Sequence, residues 1–233
     1  MNRLALLLLT ATLLSAQSPE VEITAEPHHH LTFENKSVRV FNVEVDPNTE
    51  TQMHWHRHDY FSVNLGNTEI SNAVKDKPPV TVKFTDGDTR FASASFAHVV
   101  RDLSPQPFRN VTIEILDDES LRHSTAKWDE DRSLAVLNHG TKQTLFVKDG
   151  IRATEFELQP GGVIPKHHHA GPVLVVAITD LALEETIEGQ PLTPAHPASH
   201  MKSGDSRWLP GNLTHTVTNP SPHPAKFVTL EFP

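Results

Sequence analysis

Histidine is the residue type with the clearest chemical potential in this sequence. The 233-residue chain contains 16 histidines, and nine of them stand in three runs: 28–30, 54–58 and 167–169. Imidazole is the commonest side-chain ligand for transition metals. The chain contains no cysteine, which excludes disulfides, thiolate zinc sites, iron–sulfur clusters and a cysteine nucleophile. Any metal chemistry must therefore rest on nitrogen and oxygen groups.

Two of the runs have the spacing of a metal site on a β-strand. Residues two apart on a strand point to the same face, with Cα atoms roughly 6.6 Å apart. His54 and His56 satisfy this condition, and so do His167 and His169. Each pair can therefore hold one ion, while His168 between the second pair turns to the opposite face.

A third imidazole must come from a neighbouring strand, and each half of the chain offers one. His98 follows Gly87 by 11 residues, and His215 follows Gly204 by the same 11. Three neutral imidazoles suit Zn, Fe, Ni or Cu and leave positions open for water, substrate or O₂. The predicted metal ligands are His54, His56 and His98 in the first half and His167, His169 and His215 in the second.

The remaining clustered histidines have other interpretations. His58 shares the strand face of His54 and His56 if that strand stays extended, so a fourth ligand is one alternative and a supporting role at the barrel mouth is the favoured one. The run of histidines at 28–30 is interpreted as a solvated tract within an exposed leader, residues 17–30.

The sequence repeats itself. VRVFNVEVDPN (38–48) aligns with IRATEFELQPG (151–161) at an offset of 113 residues, which superimposes the two His-x-His pairs. GDTRFASASFAHVVRD (87–102) aligns with GDSRWLPGNLTHTVTN (204–219) at an offset of 117, which superimposes the two third histidines. A loop insertion in the second half absorbs the difference, so the repeat predicts two domains with one plan.

Short β-branched and aromatic runs, separated by turn residues about every 8–12 positions, predict an all-β sandwich or barrel in each half. The hydrophobic content of 37% is sufficient for a core. The predicted organisation is a signal peptide (1–16), the leader (17–30), an N-terminal barrel (31–118), a linker (119–142) and a C-terminal barrel (143–233).

The first residues predict export. Arg3 is followed by an apolar stretch, residues 4–14, and then by the small residues Ser15 and Ala16, which is typical of a cleaved secretory signal peptide. The apolar stretch is too short for a membrane span. We expect a secreted or periplasmic protein with no membrane attachment after cleavage. The formal charge of −9 disfavours binding to nucleic acid.

The spacing of these motifs resembles the cupin superfamily. The matching residues of the second half are Gly161, the HHH run, Gly204, Pro210, His215 and Asn219, and those of the first half are Asn48, the HWH run, Gly66, Gly87 and His98. The resemblance implies a bicupin, two tandem double-stranded β-helix (jelly-roll) barrels, with the six histidines as inward-facing metal ligands. The glutamate of the cupin motif is missing from both halves, where Tyr60 or Phe61 and Val173 or Leu174 stand.

Without that glutamate, the three-histidine face resembles the iron or nickel cupin dioxygenases more than the manganese site of oxalate-metabolising cupins. The first hypothesis is a metal-dependent oxidoreductase, a dioxygenase acting on a small organic molecule. The alternative is a non-catalytic bicupin module that binds a small ligand or metal; isomerase or lyase chemistry is a lesser alternative. The cofactor is a divalent transition metal (Fe, Ni, Zn, Mn or Cu). Pairing of exposed edge strands would favour a homodimer.

Overall fold

The computed structural model describes residues 20–116, 123–125, 127–189 and 199–233. Within these ranges the chain is almost entirely β-structure, with one short 3₁₀ turn at Ile23–Ala25. Among these residues there is no helix of the length and apolar character needed to cross a membrane. The predicted signal peptide lies outside the described residues. The predicted all-β fold of two jelly-roll barrels is confirmed.

The N-terminal barrel is built from two facing five-stranded sheets, in the orders β1-β4-β9-β6-β7 and β2-β3-β10-β5-β8. Its strands are β1 (Val21–Glu22), β2 (His29–Glu34), β3 (Val38–Val45), β4 (His54–His56), β5 (Tyr60–Leu65), β6 (Thr68–Val74), β7 (Val80–Phe84), β8 (Thr89–Ala92), β9 (Phe96–Asp102) and β10 (Phe108–Ile115).

The C-terminal barrel is one continuous sheet in the order β15-β14-β17-β12-β18-β13-β16, with β11 paired to β12. Its strands are β11 (Ala135–Lys148), β12 (Ile151–His169), β13 (Val173–Ala177), β14 (Leu181–Ile187), β15 (Ser199–Met201), β16 (Ser206–Leu209), β17 (Leu213–Thr218) and β18 (Ala225–Glu231). Strand β12 pairs with β18 over 152–158 and with β17 over 163–169, so it crosses from one face of the barrel to the other.

The repeat is visible in the backbone as well as in the sequence. Residues with positive φ occur at equivalent places: Asn48 (61°) and Gly161 (75°), Gly87 (88°) and Gly204 (97°), and Ser95 (71°) and Asn212 (56°). The first pair is 113 residues apart and the other two pairs are 117 apart, matching the sequence offsets. The same turns therefore lead into the histidine-bearing strands of both barrels.

The two barrels share a hydrophobic core. Buried residues of β3, β5 and β10 pack in one cluster with buried residues of β12, β13 and β18. Alternate side chains of β3 face different cores, since Val38 and Val40 join this shared cluster while Phe41 and Val43 join the interior of the N-terminal barrel. Burial on both faces explains why these strands read as nearly continuous apolar runs.

Two hydrogen bonds related by the repeat also join the barrels. Arg109 Nη2 donates to the carbonyl of Ser203 at 3.1 Å, and Lys226 Nζ donates to the carbonyl of Asp86 at 3.0 Å. Both residues of the second bond lie 117 positions from those of the first, with donor and acceptor exchanged between barrels. The barrels therefore face each other with approximate two-fold symmetry.

Two segments contain strand structure that the sequence did not predict. The described part of the predicted leader is only partly exposed: Ile23 is 3% exposed and Glu26 is 2% exposed, whereas Glu22, Thr24 and His30 are exposed, and β1 pairs with β4. Its alternating apolar residues were too few to be recognised as part of a sheet. Strand β11 begins at Ala135, inside the predicted linker, because its pairing with β12 is a long-range contact. The predicted domain boundaries stay predictions.

Candidate metal centres

The histidines of the C-terminal barrel converge on one point. His167 of β12 lies directly opposite His215 of β17 in the antiparallel ladder, and His169 follows on the same face. His215 Nε2 lies 3.1 Å from His167 Nε2 and 3.2 Å from His169 Nε2. The structure thus brings together the three residues singled out in the second half of the sequence.

The opposite ring nitrogens fix how these imidazoles are oriented. His169 Nδ1 lies 2.9 Å from Glu231 Oε1, and His167 Nδ1 lies 2.8 Å from the carbonyl oxygen of Pro165. Carbonyl and carboxylate oxygens only accept, so both Nδ1 atoms donate and both Nε2 atoms carry lone pairs. His215 Nδ1 lies 3.5 Å from Glu185 Oε2. The nitrogens that face one another are therefore unprotonated in His167 and His169.

This arrangement fits a metal ion. Unprotonated nitrogens close to each other repel unless a cation lies between them. Nitrogen ligands about 2.0–2.1 Å from a common ion lie about 2.9 Å apart at a right angle and about 3.4 Å apart at the tetrahedral angle. The observed separations of 3.1 and 3.2 Å fall between these values. The described residues therefore contain a histidine triad able to hold a transition metal.

Two rows of interacting side chains lie on the Nδ1 side of the triad and hold its imidazoles in place. Burial opposes ionisation of Glu231, but hydrogen bonds from His169 and Arg152 outweigh it and lower the pKa of this carboxyl. The same balance lowers the pKa of Glu185 beside His215 and Arg207. The two rows are Arg152–Glu231–His169 and Arg207–Glu185–His215.

A cavity of about 440 Å³ adjoins this triad. Apolar side chains of β12–β14, β17 and β18 line part of it, and both arginines of the two rows line it too. Arg152 Nε is buried without a hydrogen-bond partner among the described residues. Two lysines, Lys142 and Lys166, and two aspartates, Asp129 and Asp131, also line the cavity. Because the basic and acidic residues balance, an ion bound by neutral imidazoles would carry the excess positive charge.

The N-terminal barrel has an equivalent cluster. His54 of β4 lies directly opposite His98 of β9, and His56 Nε2 lies 3.1 Å from His98 Nε2. His54 Nδ1 donates to the carbonyl of Gln52 at 2.8 Å, and His98 Nδ1 donates to Asn72 Oδ1 at 2.8 Å. The three imidazoles predicted from the first half therefore also meet, beside a cavity of about 390 Å³.

A fourth imidazole, that of His29, lies at this N-terminal cluster. The sequence had predicted a solvated tract at this position. The side chain of His29 is only 5% exposed, and its ring centroid lies 4.6 Å from that of His54. One ring nitrogen each of His29, His54 and His56 lies within 4.8 Å of the others. His58 does not join them, because β4 ends at His56 and the chain then turns.

Burial keeps three of the clustered imidazoles neutral. It lowers the pKa of His54 to about 4, and it lowers the pKa of His167 to about 4. Burial and the neighbouring imidazoles His98 and His54 also hold the pKa of His56 far below its usual range. Metal binding requires neutral imidazole, so His54, His56 and His167 are in the competent protonation state at neutral pH.

Sequence reasoning missed the residues behind the ligands. Glu231 stands 117 positions after Glu114, and Glu185 stands 113 positions after Asn72, so both belong to the repeat. Polar residues repeated inside apolar strands were the signal that could have found them. His29 carried no comparable signal, because its partners lie on strands distant in the sequence.

The described chain thus forms two jelly-roll barrels, each with imidazoles converging beside an internal cavity. Solved structures with a similar fold include oxalate decarboxylases. The Lactobacillus farciminis enzyme in complex with formate has a TM-score of 0.59 and 14% identity, over 88% of this chain and 84% of that chain. A variant of the Bacillus subtilis enzyme has a TM-score of 0.61 and 12% identity, over 90% of this chain and 75% of that chain.

A further structure of the Bacillus subtilis enzyme, with a TM-score of 0.60, 12% identity and coverage of 90% of this chain and 75% of that chain, is described for its Mn(II) centres. No family model matches the sequence, and no curated protein matches it. At such low identity the likeness concerns the fold.

Proposed function

We propose that the C-terminal barrel binds a divalent transition metal on His167, His169 and His215 and acts as a metal-dependent oxidoreductase of the dioxygenase type on a small organic molecule. One observation carries this proposal. The two described carboxylates beside the triad, Glu185 and Glu231, both lie on the Nδ1 side of the imidazoles. The donor set is therefore neutral, unlike one that includes a carboxylate.

A neutral donor set favours an anionic, chelating substrate. Arg152 and Arg207 already balance the charges of Glu231 and Glu185. The charge of a bound ion would be compensated by neither the ligands nor the cavity wall. A hydroxy acid, keto acid or dicarboxylate of small size supplies that compensation, and the unpartnered Arg152 Nε offers a donor for it.

The protein's own residues supply orientation and exclusion of water. Glu231 holds His169 in one tautomer, and the apolar side chains of Ile164, Val175 and Phe227 line the cavity next to the triad. When bound, a redox-active ion supplies Lewis-acid and electron-transfer chemistry. The metal identity is open among Fe, Ni, Zn, Mn and Cu.

A second candidate function is a binding module that captures a small ligand and catalyses nothing. The absence of the cupin glutamate from both halves supports it, since Tyr60 and Val173 stand there. The two candidates differ in turnover, not in metal or ligand binding.

We also propose that the protein is exported, because residues 1–16 have the pattern of a secretory signal peptide. N-terminal sequencing of the protein recovered from the periplasm or medium tests this, and a retained Met1 would contradict it. A homodimer is proposed only on the general tendency of jelly-roll edges to pair, and sedimentation analysis tests it.

The deciding experiment is elemental analysis followed by a turnover screen. Wild type, His215→Ala and the neighbouring control His168→Ala are purified without chelators. Each is mixed with small hydroxy acids, keto acids and dicarboxylates including oxalate, while O₂ uptake and CO₂ release are recorded. We expect O₂ uptake that His215→Ala abolishes and His168→Ala keeps. CO₂ release without O₂ uptake would indicate lyase chemistry, and saturable binding without product would favour the binding module.

A further inference from the structure

We infer that the N-terminal barrel holds a structural transition-metal ion on four imidazoles, with His29 as the ligand that ties the N-terminal segment to the barrel. This centre is separate from the C-terminal centre of the proposed function. The four ligands are His29, His54, His56 and His98.

The geometry places His29 next to His54 and His56. Its ring centroid lies 4.6 Å from that of His54 and 6.4 Å from that of His56. His54 and His98 are in turn 4.5 Å apart between centroids. His54 Nε2 is fully buried and has no hydrogen-bond partner among the described residues. A buried lone pair without a partner is costly, and an ion shared with His29 would satisfy it.

Glu26 orients His29 for this role. Its carboxylate is 2% exposed, and Oε2 lies 2.6 Å from His29 Nδ1. Its other oxygen, Oε1, accepts from His28 Nδ1 at 2.9 Å and from the backbone N–H of Gln52 at 3.1 Å. The Nδ1 of His29 therefore donates, and its Nε2 is left free as a ligand atom. A carboxylate behind a metal-binding histidine is the usual supporting arrangement.

The surroundings of Glu26 give a second reason for a cation. Its side chain is fully buried, and its two oxygens contact the Nδ1 atoms of His28 and His29 and the backbone N–H groups of His28 and Gln52. Within the described residues no lysine or arginine forms an ion pair with it. An ion bound on the far side of the His29 ring would balance a buried carboxylate.

Register shows that the two barrels differ at the position of His29. His29 pairs with Val43, and Lys142 pairs with Phe156, which lies 113 residues after Val43. Lys142 therefore occupies in the C-terminal barrel the position that His29 occupies in the N-terminal barrel. Lys142 lines the C-terminal cavity. The N-terminal centre gains a fourth nitrogen ligand where the C-terminal centre has a cationic side chain that can attract an anion.

A site whose ligands all come from the protein is characteristic of structural metal centres, whereas catalytic centres keep an open position. The segment immediately before His29 pairs with the barrel through one short strand. Strand β1 pairs with β4 through only two residues, Val21 and Glu22. Binding of a metal by His29 would hold this segment against β4, next to His54.

The test isolates the N-terminal centre in the full-length chain by using His215→Ala as the parent. The variant His29→Phe keeps an aromatic ring against Phe41 and His54 but has no ligand atom. The matched control is His30→Ala, because His30 is the exposed next residue. Each protein is loaded with zinc and dialysed against a competing chelator before elemental analysis. Cobalt-substituted samples are examined by visible absorption, which distinguishes four-coordinate from higher-coordinate ions.

We expect the parent and His30→Ala to keep zinc and to show the intense cobalt bands of a four-coordinate site. His29→Phe should lose affinity by more than the roughly 10–100-fold typical of residues behind a ligand. Zinc should also slow proteolysis within residues 20–34 of the parent but not of His29→Phe. Equal zinc retention by His29→Phe and His30→Ala would overturn the inference, as would a parent that binds no metal. If His29→Phe does not fold, His29→Ala decides by the same measurements.

Discussion

Glu231 Oε1 and His169 Nδ1 lie 2.9 Å apart in the C-terminal barrel, whereas the equivalent atoms of Glu114 and His56 in the N-terminal barrel are buried with no hydrogen-bond partner in the described chain. The surroundings of His56 and His169 also differ, because the ring of Tyr60 stacks on the His56 ring with centroids 4.2 Å apart. Tyr60 pairs with Glu114 as Val173 pairs with Glu231. A repeat that conserves residue types has thus produced two different centres.

Glu231→Gln should weaken metal binding at the C-terminal centre by about 10–100-fold, because a neutral amide no longer fixes the tautomer or raises the basicity of His169. Competition titration against a chromophoric chelator measures this in a parent that carries both His54→Ala and His98→Ala, which leaves only two of the four N-terminal imidazoles. Glu114→Gln in the same parent is the control and should leave the affinity unchanged. Equal affinities for both variants would argue against the role of Glu231.

Glu114→Gln should alter how stability depends on pH. Burial outweighs the nearby charges of His58 and Arg39 and raises the pKa of Glu114 above 4.5. The folded state then holds this proton more tightly than the unfolded state, so stability is lost as pH rises through that range. Gln does not ionise, and the variant should therefore gain free energy of unfolding relative to wild type between pH 4 and pH 7.

Denaturant unfolding at both pH values measures this difference. Glu34→Gln is the opposite control, since the hydrogen bond from Arg39 lowers the pKa of Glu34 and its ionised form stabilises the fold above pH 4.5. That variant should lose stability relative to wild type over the same interval. The predicted effect of burial would be contradicted if the free energy of unfolding of Glu114→Gln, relative to wild type, stayed constant or fell between pH 4 and pH 7.

Gly87→Ala should destabilise the contact between the barrels. Gly87 has a φ of +88°, and a Cβ there would lie 2.7 Å from Lys226 Nζ, which donates to Asp86. Gly66 has a φ of +84° but open space around it. Gly66→Ala thus measures backbone strain alone, about 1–3 kcal/mol. Gly87→Ala should cost about 0.5–1.5 kcal/mol more through the lost hydrogen bond. Equal losses in denaturant unfolding would show that this contact contributes little.

Phe61→Ala should lower the free energy of unfolding by about 3–5 kcal/mol. Phe61 is fully buried in the core shared by the barrels and stacks on Phe146 with ring centroids 5.3 Å apart. Leu134→Ala, at a residue 60% exposed, should change stability by no more than about 0.5 kcal/mol. We also expect wild type to unfold in one transition, because both barrels depend on this core. Two separate transitions by fluorescence and circular dichroism would disprove that coupling.

Much of the fold followed from local pattern. Apolar runs between turn residues predicted strands such as 38–45 and 111–115, and these are β3 and β10. Equal spacing of His98 and His215 from the preceding glycine placed the third imidazole of each cluster, because a repeated sequence adopts a repeated register. The structure accordingly sets His54 opposite His98 and His167 opposite His215.

The sequence alone determined the all-β class, the duplication and the two histidine triads, since each depends on side-chain alternation and on spacing within one repeat. Only the tertiary structure decided that His29 joins the N-terminal cluster, that Glu231 supports His169, and that the barrels share a core. Those relationships arise from pairing between distant strands. A single sequence contains the residues that make such contacts, but the direction of each side chain is set by a register that forms only when the sheets assemble.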